Sequence, residues 1–388
     1  MDVNFIKNIA AHISSVPPLP AAAQKLIQLT SKQDVDIQEV TQVIAMDQGI
    51  ASKLLQVVNS PFYGLQKKVT TIPQAITFLG LDAIKSLALS VSVIKRSSDQ
   101  KGAAYFTQEE FWKHSLSTAV LSKKIALLFA YEDPEEAFIA GLMHDIGKLV
   151  LLEFSGDNYV LALEQASKGK KSLSFYEEEI FEIDHALLGE ELCRHWMIPE
   201  KISKAIACHH LPLLEQNPQV EKEVNELGAI VSVANQLAHL LGLGKSGNPM
   251  ISLELIQYLS HKKIGFEMLM KTIQSAKKEI SDSATMFGFK ENNEEVFSGK
   301  IALSLGNDLE KKMLQILLAS QNAVFEDFVN EHLSDYSQLI YDSEFDVPLL
   351  NSVKEKNLKV FNFSEWKKEH MFEAYYDVLS LQKLLYSL

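Results

Sequence analysis

Apolar residues recur at three- and four-residue intervals along the chain to about residue 286, the spacing of one helix face. Ile37, Val40, Val43 and Ile44 show it most plainly. Asp36 stands before them as a cap, with Glu39 three residues on as a capping-box partner. Phe5 to Ile13 and Ala21 to Leu29 are expected as short helices. Val16 to Pro20 separates them, because proline lacks an N–H and biases its predecessor away from helix. Asp47 begins the next helix, which ends at the turn formers Asn59 to Gly64. Thr71, with Pro73 in the first turn, starts a helix that Gly80 breaks, and Leu81 to Lys95 follows. Ser97 to Thr107 reads as a loop.

The same period continues from Phe111 to Tyr131. Asp133 and Pro134 start a helix that carries the apolar run Ala140 to Val150. Further helices are expected over Leu161–Lys170, Ser174–Phe181, Asp184–Trp196, Ile198–Cys208, Asn225–Leu241, Ser252–Leu259 and Phe266–Met286. After a charged linker, Lys290 to Glu295, the texture changes. Lys300–Leu305, Ala323–Phe325, Gln338–Asp342 and Leu358–Phe363 read as strands, with helices over Asp308–Ala319 and Asp346–Lys356 and from Ser364 to the end. The expectation is a mainly α protein: a helical subdomain over 1–97, a second over 98–289, and a small α/β domain over 296–388.

Composition narrows the classes of function. A formal charge of −13 argues against generic nucleic-acid binding. Cys193 and Cys208 are the only cysteines, so there is no disulfide framework and a reducing compartment fits. The first residues lack the basic and apolar regions of a secretory signal. No apolar run reaches the ~18 residues that span a membrane. A cytoplasmic protein is expected.

The chemistry gathers around Ala140–Val150, where His144, Asp145 and Lys148 interrupt an apolar run. Such groups need partners when buried. His144 and Lys148 are four apart, so they are expected to share a helix face, with Asp145 about 100° around. Of eleven histidines, six (His114, His144, His185, His195, His209 and His210) fall between 114 and 210. Gly189, four residues after His185, is expected to admit another backbone close to that histidine. His209 and His210 sit where Pro212 ends a helix, so irregular backbone can aim both rings inward. His195 lies on nearly the opposite side of its helix from His185 and is read as non-ligating. Cys208 is read as a buried structural residue.

Leu19-Pro20, Asp47, Leu54-Leu55, Asn59-Ser60, Ile72, Ala75-Ile76 and Leu79-Gly80 together resemble the N-terminal part of HDOD domains, output domains of bacterial signalling proteins. The histidine series resembles the HD superfamily of metal-dependent phosphohydrolases, in particular its HD-GYP branch. The resemblance implies a metal site of His114, His144, Asp145, His185, His209, His210 and, at the last place, Asn235. It places Lys148 near a substrate phosphate.

Two departures count against turnover. Asn235 puts a neutral amide where the family has a carboxylate, a poorer ligand for a hard cation. Leu211-Pro212 stands where HD-GYP proteins continue with an acidic residue and a Gly-Tyr-Pro segment. Imidazoles still hold Fe, Mn, Zn or Ni, and Mg is a further candidate.

The tail resembles a receiver domain, with Asp342 at the phospho-acceptor place and Asn307-Asp308 near the acidic pocket. No Lys-Pro pair follows. A degenerate receiver-like module and an α/β interaction domain with an incidental Asp342 both fit. The functional expectation is a signalling protein with protein–protein or ligand-sensing output. Its partners would be signalling proteins or a small nucleotide or phosphoester. The alternative is a metal-dependent phosphohydrolase or phosphodiesterase.

Overall fold

The computed structural model describes residues 13, 16, 19–30, 35–59, 68–94, 105–168, 171–210, 222–247, 250–252, 254–287, 289, 300–304, 311–316, 324–327, 338–341, 359–362, 371–372 and 375–377. The first expected helix, the Pro212 turn, Asn307, Asp308, Asp342 and the expected helix over Asp346–Lys356 lie outside the described residues. The described chain divides into two compact units, one holding residues up to 238 with 243–248 and 276–291, the other 239–242, 249–275 and 292–388.

The first unit opens with five helices: α1 (Ala21–Thr30), α2 (Ile37–Ala45), α3 (Gln48–Val58), α4 (Ile72–Leu79) and α5 (Leu81–Ile94). Their apolar stripes close on one core that includes Leu26, Val40, Ile44, Leu54, Ile76 and Ile84. Two of the family-matching polar residues, Asp47 and Asn59, are a cap and a pin, and Asp36 is a further cap. Asp36 accepts from Gln38 N, and Asp47 Oδ1 from Gly49 N and Ile50 N. Each such cap is worth about 1 kcal/mol. Asn59 ties Leu55 O to Val69 N and Val69 O through three 2.7 Å hydrogen bonds, closing the 59–69 connection. Gly80 ends α4 at φ +85°, a conformation that side chains disfavour.

Seven helices carry the rest of this part: α6 (Gln108–Leu128), α7 (Pro134–Met143), α8 (Ile146–Lys168), α9 (Leu173–Phe181), α10 (His185–His195), α11 (Glu200–Ala207) and α12 (Lys222–Leu240). Thr107, the last residue of the expected loop, caps α6 in a complete capping box with Glu110. α6 and α7 are pressed together at Gly141, where an added Cβ would lie 2.9 Å from Ala119 Cα.

The run Ala140–Val150 is not one helix. α7 ends at Met143, α8 begins at Ile146, and His144-Asp145 forms the turn between them. The cause is local: His144 Nδ1 donates to Gly141 O at 2.7 Å, and Lys148 N bonds Asp145 O at 2.9 Å in a tighter turn. The expected shared face of His144 and Lys148 is therefore replaced by a corner. α8 runs on to Lys168, broken once at Ser155, whose φ of −153° leaves the helical region.

In the second unit β1 (Met250–Ser252) precedes α13 (Glu254–His261), and α14 (Phe266–Phe287) begins here and ends in the first unit. β2 (Lys300–Ser304), β3 (Val324–Asp327), β4 (Gln338–Tyr341) and β5 (Lys359–Asn362) form an all-parallel sheet in the order β3-β2-β4-β5. Helical residues 311–316 fall between its first two strands. The tail expected as helix contains strands β6 (Met371–Phe372) and β7 (Tyr375–Asp377). β7 pairs antiparallel with both β6 and β1. Three of the five residues of these two strands are aromatic, a residue type enriched in strands. Through β1 a segment just after α12 is joined to the end of the chain. Among the described residues no helix is long and apolar enough to cross a membrane.

Candidate metal centre

Asp145 is the hub. Its Oδ2 lies 2.8 Å from Lys148 Nζ, 3.3 Å from His144 Nε2 and 3.8 Å from His114 Nε2. Its Oδ1 lies 3.3 Å from His185 Nε2 and 3.9 Å from His209 Nε2. The carboxylate thus joins two groups. Asp145, His185, His209 and His210 offer ligand atoms all within 4.8 Å of one another, and so do His114, His144 and Asp145. α6 supplies His114, the α7–α8 corner His144 and Asp145, α10 its first residue His185, and the turn after α11 His209 and His210. All are buried except His210, which is half-buried.

Close helix packing makes the corner possible. A Cβ on Gly147 would lie 2.1 Å from His185 O and 2.8 Å from Gly189 N. The close backbone approach expected at Gly189 is thus set chiefly by Gly147. A Cβ on Gly189 would meet only ordinary or slightly tight neighbours.

The imidazoles are oriented from behind. His144 Nδ1 donates to Gly141 O and His209 Nδ1 to Ile206 O, at 2.7 and 2.6 Å. An acceptor at Nδ1 fixes the proton there and leaves Nε2 as a lone pair facing Asp145. His144 Nε2, His209 Nε2 and Asp145 Oδ1 are buried and make no hydrogen bond. Buried lone pairs that face one another repel unless a cation lies between them, so these residues fit a metal ion.

Burial alone would raise the Asp145 carboxyl. The His144 imidazole and the Lys148 ammonium beside it hold it well below the usual range. Burial depresses His209 and His210 well below ordinary histidine, and neighbouring histidines push both further. Burial also works against a charged His185, but the Glu177 and Asp145 carboxylates together outweigh it and lift His185 to about 9. His185 Nε2 therefore donates to His210 Nε2, 2.8 Å away.

The second group is partly satisfied without an ion. His114 Nε2 donates to Asn235 Oδ1 at 3.0 Å. Lys148 is fully buried, and its ammonium reaches Asp145 Oδ2, Ser246 O at 3.1 Å and Ser246 Oγ at 3.2 Å. An ammonium has three protons, and here each has an acceptor. His195 bonds Val16 O at 3.2 Å and is exposed.

Two residues of the centre were not read from the sequence. Glu177, fully buried, accepts from His185 N at 2.9 Å and His185 Nδ1 at 2.5 Å. Its signal was the four-residue spacing Leu173, Glu177, Phe181, all buried on one face of α9. Ser246 sits in the loop after α12. Gly244 lets that loop lie against α6: at φ +78°, an added Cβ would come 2.3 Å from His114 N.

The helical bundle thus gathers a His-Asp corner and four further histidines at one buried point, a cluster that could hold a metal ion. The HDOD domain profile matches residues 16–212, and the chain belongs to the HDOD family. The fold is shared with an HDOD domain protein of unknown function from Geobacter sulfurreducens, at TM-score 0.55 and 20% identity over 82% of this chain and 98% of that one. It is also shared with a candidate signal transduction protein from Marinobacter aquaeolei VT8, at TM-score 0.58 and 18% identity over 73% and 66%. A candidate phosphohydrolase from Shewanella amazonensis SB2B gives TM-score 0.51 and 18% identity over 81% and 95%. An uncharacterised protein of Treponema pallidum is 23% identical over 240 residues, 60% of this chain and 44% of its own length. The chain thus spans less than half of that relative.

Proposed function

We propose that this chain is a cytoplasmic signalling output protein whose buried centre holds one divalent ion and turns over no phosphoester. The ion would sit with Asp145 Oδ1, His185, His209 and His210, and would be a borderline ion such as Fe, Mn, Zn or Ni. The observation that carries this reading is Lys148: fully buried, it spends all three protons on Asp145 and Ser246 and has none for a phosphate. The Asn235–His114 hydrogen bond supports it, because it occupies a nitrogen that a second ion would need. Output then passes through contacts with signalling proteins or through a bound nucleotide-like ligand.

Phosphoester hydrolysis is the second reading. It is favoured by the shared Asp145 carboxylate, whose two oxygens face two separate groups of histidines. A bound divalent ion supplies a low-pKa water for such chemistry. Metal analysis of the purified protein, paired with assays on aryl phosphoesters and cyclic dinucleotides, separates the readings. We expect about one ion per chain and no turnover. Metal-dependent turnover that disappears in His144→Ala and Asp145→Ala overturns the first reading.

For the tail, we propose a receiver-like module. The order β3-β2-β4-β5 is the second-first-third-fourth order of flavodoxin-like sheets, which bind ligands where the order reverses. Asp342 directly follows β4, one of the two strands at that reversal. Acetyl phosphate labelling, with Asp342→Asn as control, tests it. Absence of label leaves an interaction module without phosphotransfer.

A further inference from the structure

Three imidazoles of the centre are held from behind, and one is held differently. His144 and His209 each give their Nδ1 proton to a main-chain carbonyl. His185 gives its Nδ1 proton to a buried carboxylate, Glu177, at 2.5 Å. A carbonyl is enough to fix a tautomer. A carboxylate does more, because it makes the imidazole a stronger electron donor through its other nitrogen. Burying a carboxylate is costly, and Glu177 is fully buried. The carboxylate is not a surface residue caught in a fold: Leu173 and Phe181 are buried on the same face of α9, one turn to either side.

We propose that Glu177 is a positioning residue for the metal centre. By accepting a hydrogen bond from Nδ1 it reserves His185 Nε2 for the ion shared with Asp145 Oδ1, His209 and His210, and strengthens His185 as a ligand. The proposal rests on the metal reading above. His185 then lies between two carboxylates, with Glu177 Oε2 on Nδ1 and Asp145 Oδ1 3.3 Å from Nε2. An ion that takes Nε2 leaves the Glu177 hydrogen bond intact, so the ring does not turn on loading.

Glu177 Oε2 also accepts from His185 N, which caps the start of α10, and a purely structural role has to be separated from positioning. Glutamine keeps an oxygen for both hydrogen bonds and removes the charge, whereas leucine removes both. The test is Co²⁺ and Zn²⁺ affinity of the full chain, measured by chelator competition, with the visible absorption bands of bound Co²⁺ as the spectroscopic readout. We expect Glu177→Gln to bind about tenfold more weakly and Glu177→Leu about a hundredfold, with shifted Co²⁺ bands in both. Wild-type affinity and bands in Glu177→Gln, with loss confined to Glu177→Leu, assign the residue to the helix cap and overturn the proposal. Wild-type behaviour in both variants overturns it as well. Failure of the unaltered protein to bind either ion overturns the metal reading itself, and this inference with it.

Discussion

Lys148 Nζ lies 2.8 Å from Asp145 Oδ2, and neither side chain is exposed by more than 1%. A buried carboxylate needs a cation, and on this side of Asp145 the cation is part of the chain. Lys148→Met leaves Oδ2 uncompensated, and removing one member of a buried pair costs about 3–5 kcal/mol. Urea unfolding of the metal-free variant is expected to show that loss. Added Mn²⁺ or Zn²⁺ then recovers more stability in the variant than in the parent, because a second ion replaces the missing ammonium. Equal recovery in both proteins removes Lys148 from the cation role.

Asn235 is the second element that keeps this side closed. Its Oδ1 accepts from His114 Nε2 at 3.0 Å, so a carboxylate there would meet the same nitrogen with a full charge. Asn235→Asp is expected to raise bound metal from about one to nearly two ions per chain in dialysed protein, read by elemental analysis. An unchanged ratio means that the neutral amide is not what limits occupancy.

The residue types of the centre were legible in the sequence, while their pairing was not. His144-Asp145 stood out because ionisable groups are rare in apolar runs. The break between α7 and α8 was hidden, because it depends on a histidine ring competing for a helix carbonyl, which periodicity does not register. Glu177 was hidden among Glu177, Glu178 and Glu179, where only the Leu173–Phe181 stripe says which one faces inward. Ser246 reaches Lys148 across 98 residues of sequence, a contact that local patterning cannot supply. The four parallel strands were placed correctly because short apolar runs bounded by polar residues are a local signal. β6 and β7 were missed because their pairing with β1 is long-range.

The centre ties metal binding and stability to pH in opposite directions. His185 is raised from 6.5 to about 9 by Glu177 and Asp145 against burial. The stability it gives the metal-free protein is fully present below pH 6.5 and fades as pH rises through about 9. A metal ion must displace that proton, so its apparent affinity is expected to rise about tenfold per pH unit until His185 is neutral. Melting of chelator-treated protein and Zn²⁺ competition, each followed from about pH 7 to about pH 9, are expected to move apart. Metal affinity that ignores pH over this range places His185 outside the coordination sphere.

Gly147 is where the corner and the ligand helix touch most closely. An added Cβ would lie 2.1 Å from His185 O and 2.8 Å from Gly189 N, and both of these are backbone atoms that cannot swing aside. Gly147→Ala must therefore push α8 away from the start of α10, which carries His185. Overpacking of this kind costs about 1–3 kcal/mol. The displacement also draws His185 Nε2 off Asp145 Oδ1, so Zn²⁺ affinity is expected to fall by at least as much as in Glu177→Leu. Gly265→Ala is the matched control, because nothing lies within 4 Å of the position its Cβ would take. Chemical denaturation and Zn²⁺ competition on the two variants separate the effects. A Gly147→Ala protein that is destabilised yet binds Zn²⁺ like the parent shows that the α8–α10 contact supports the fold without setting the geometry of the site.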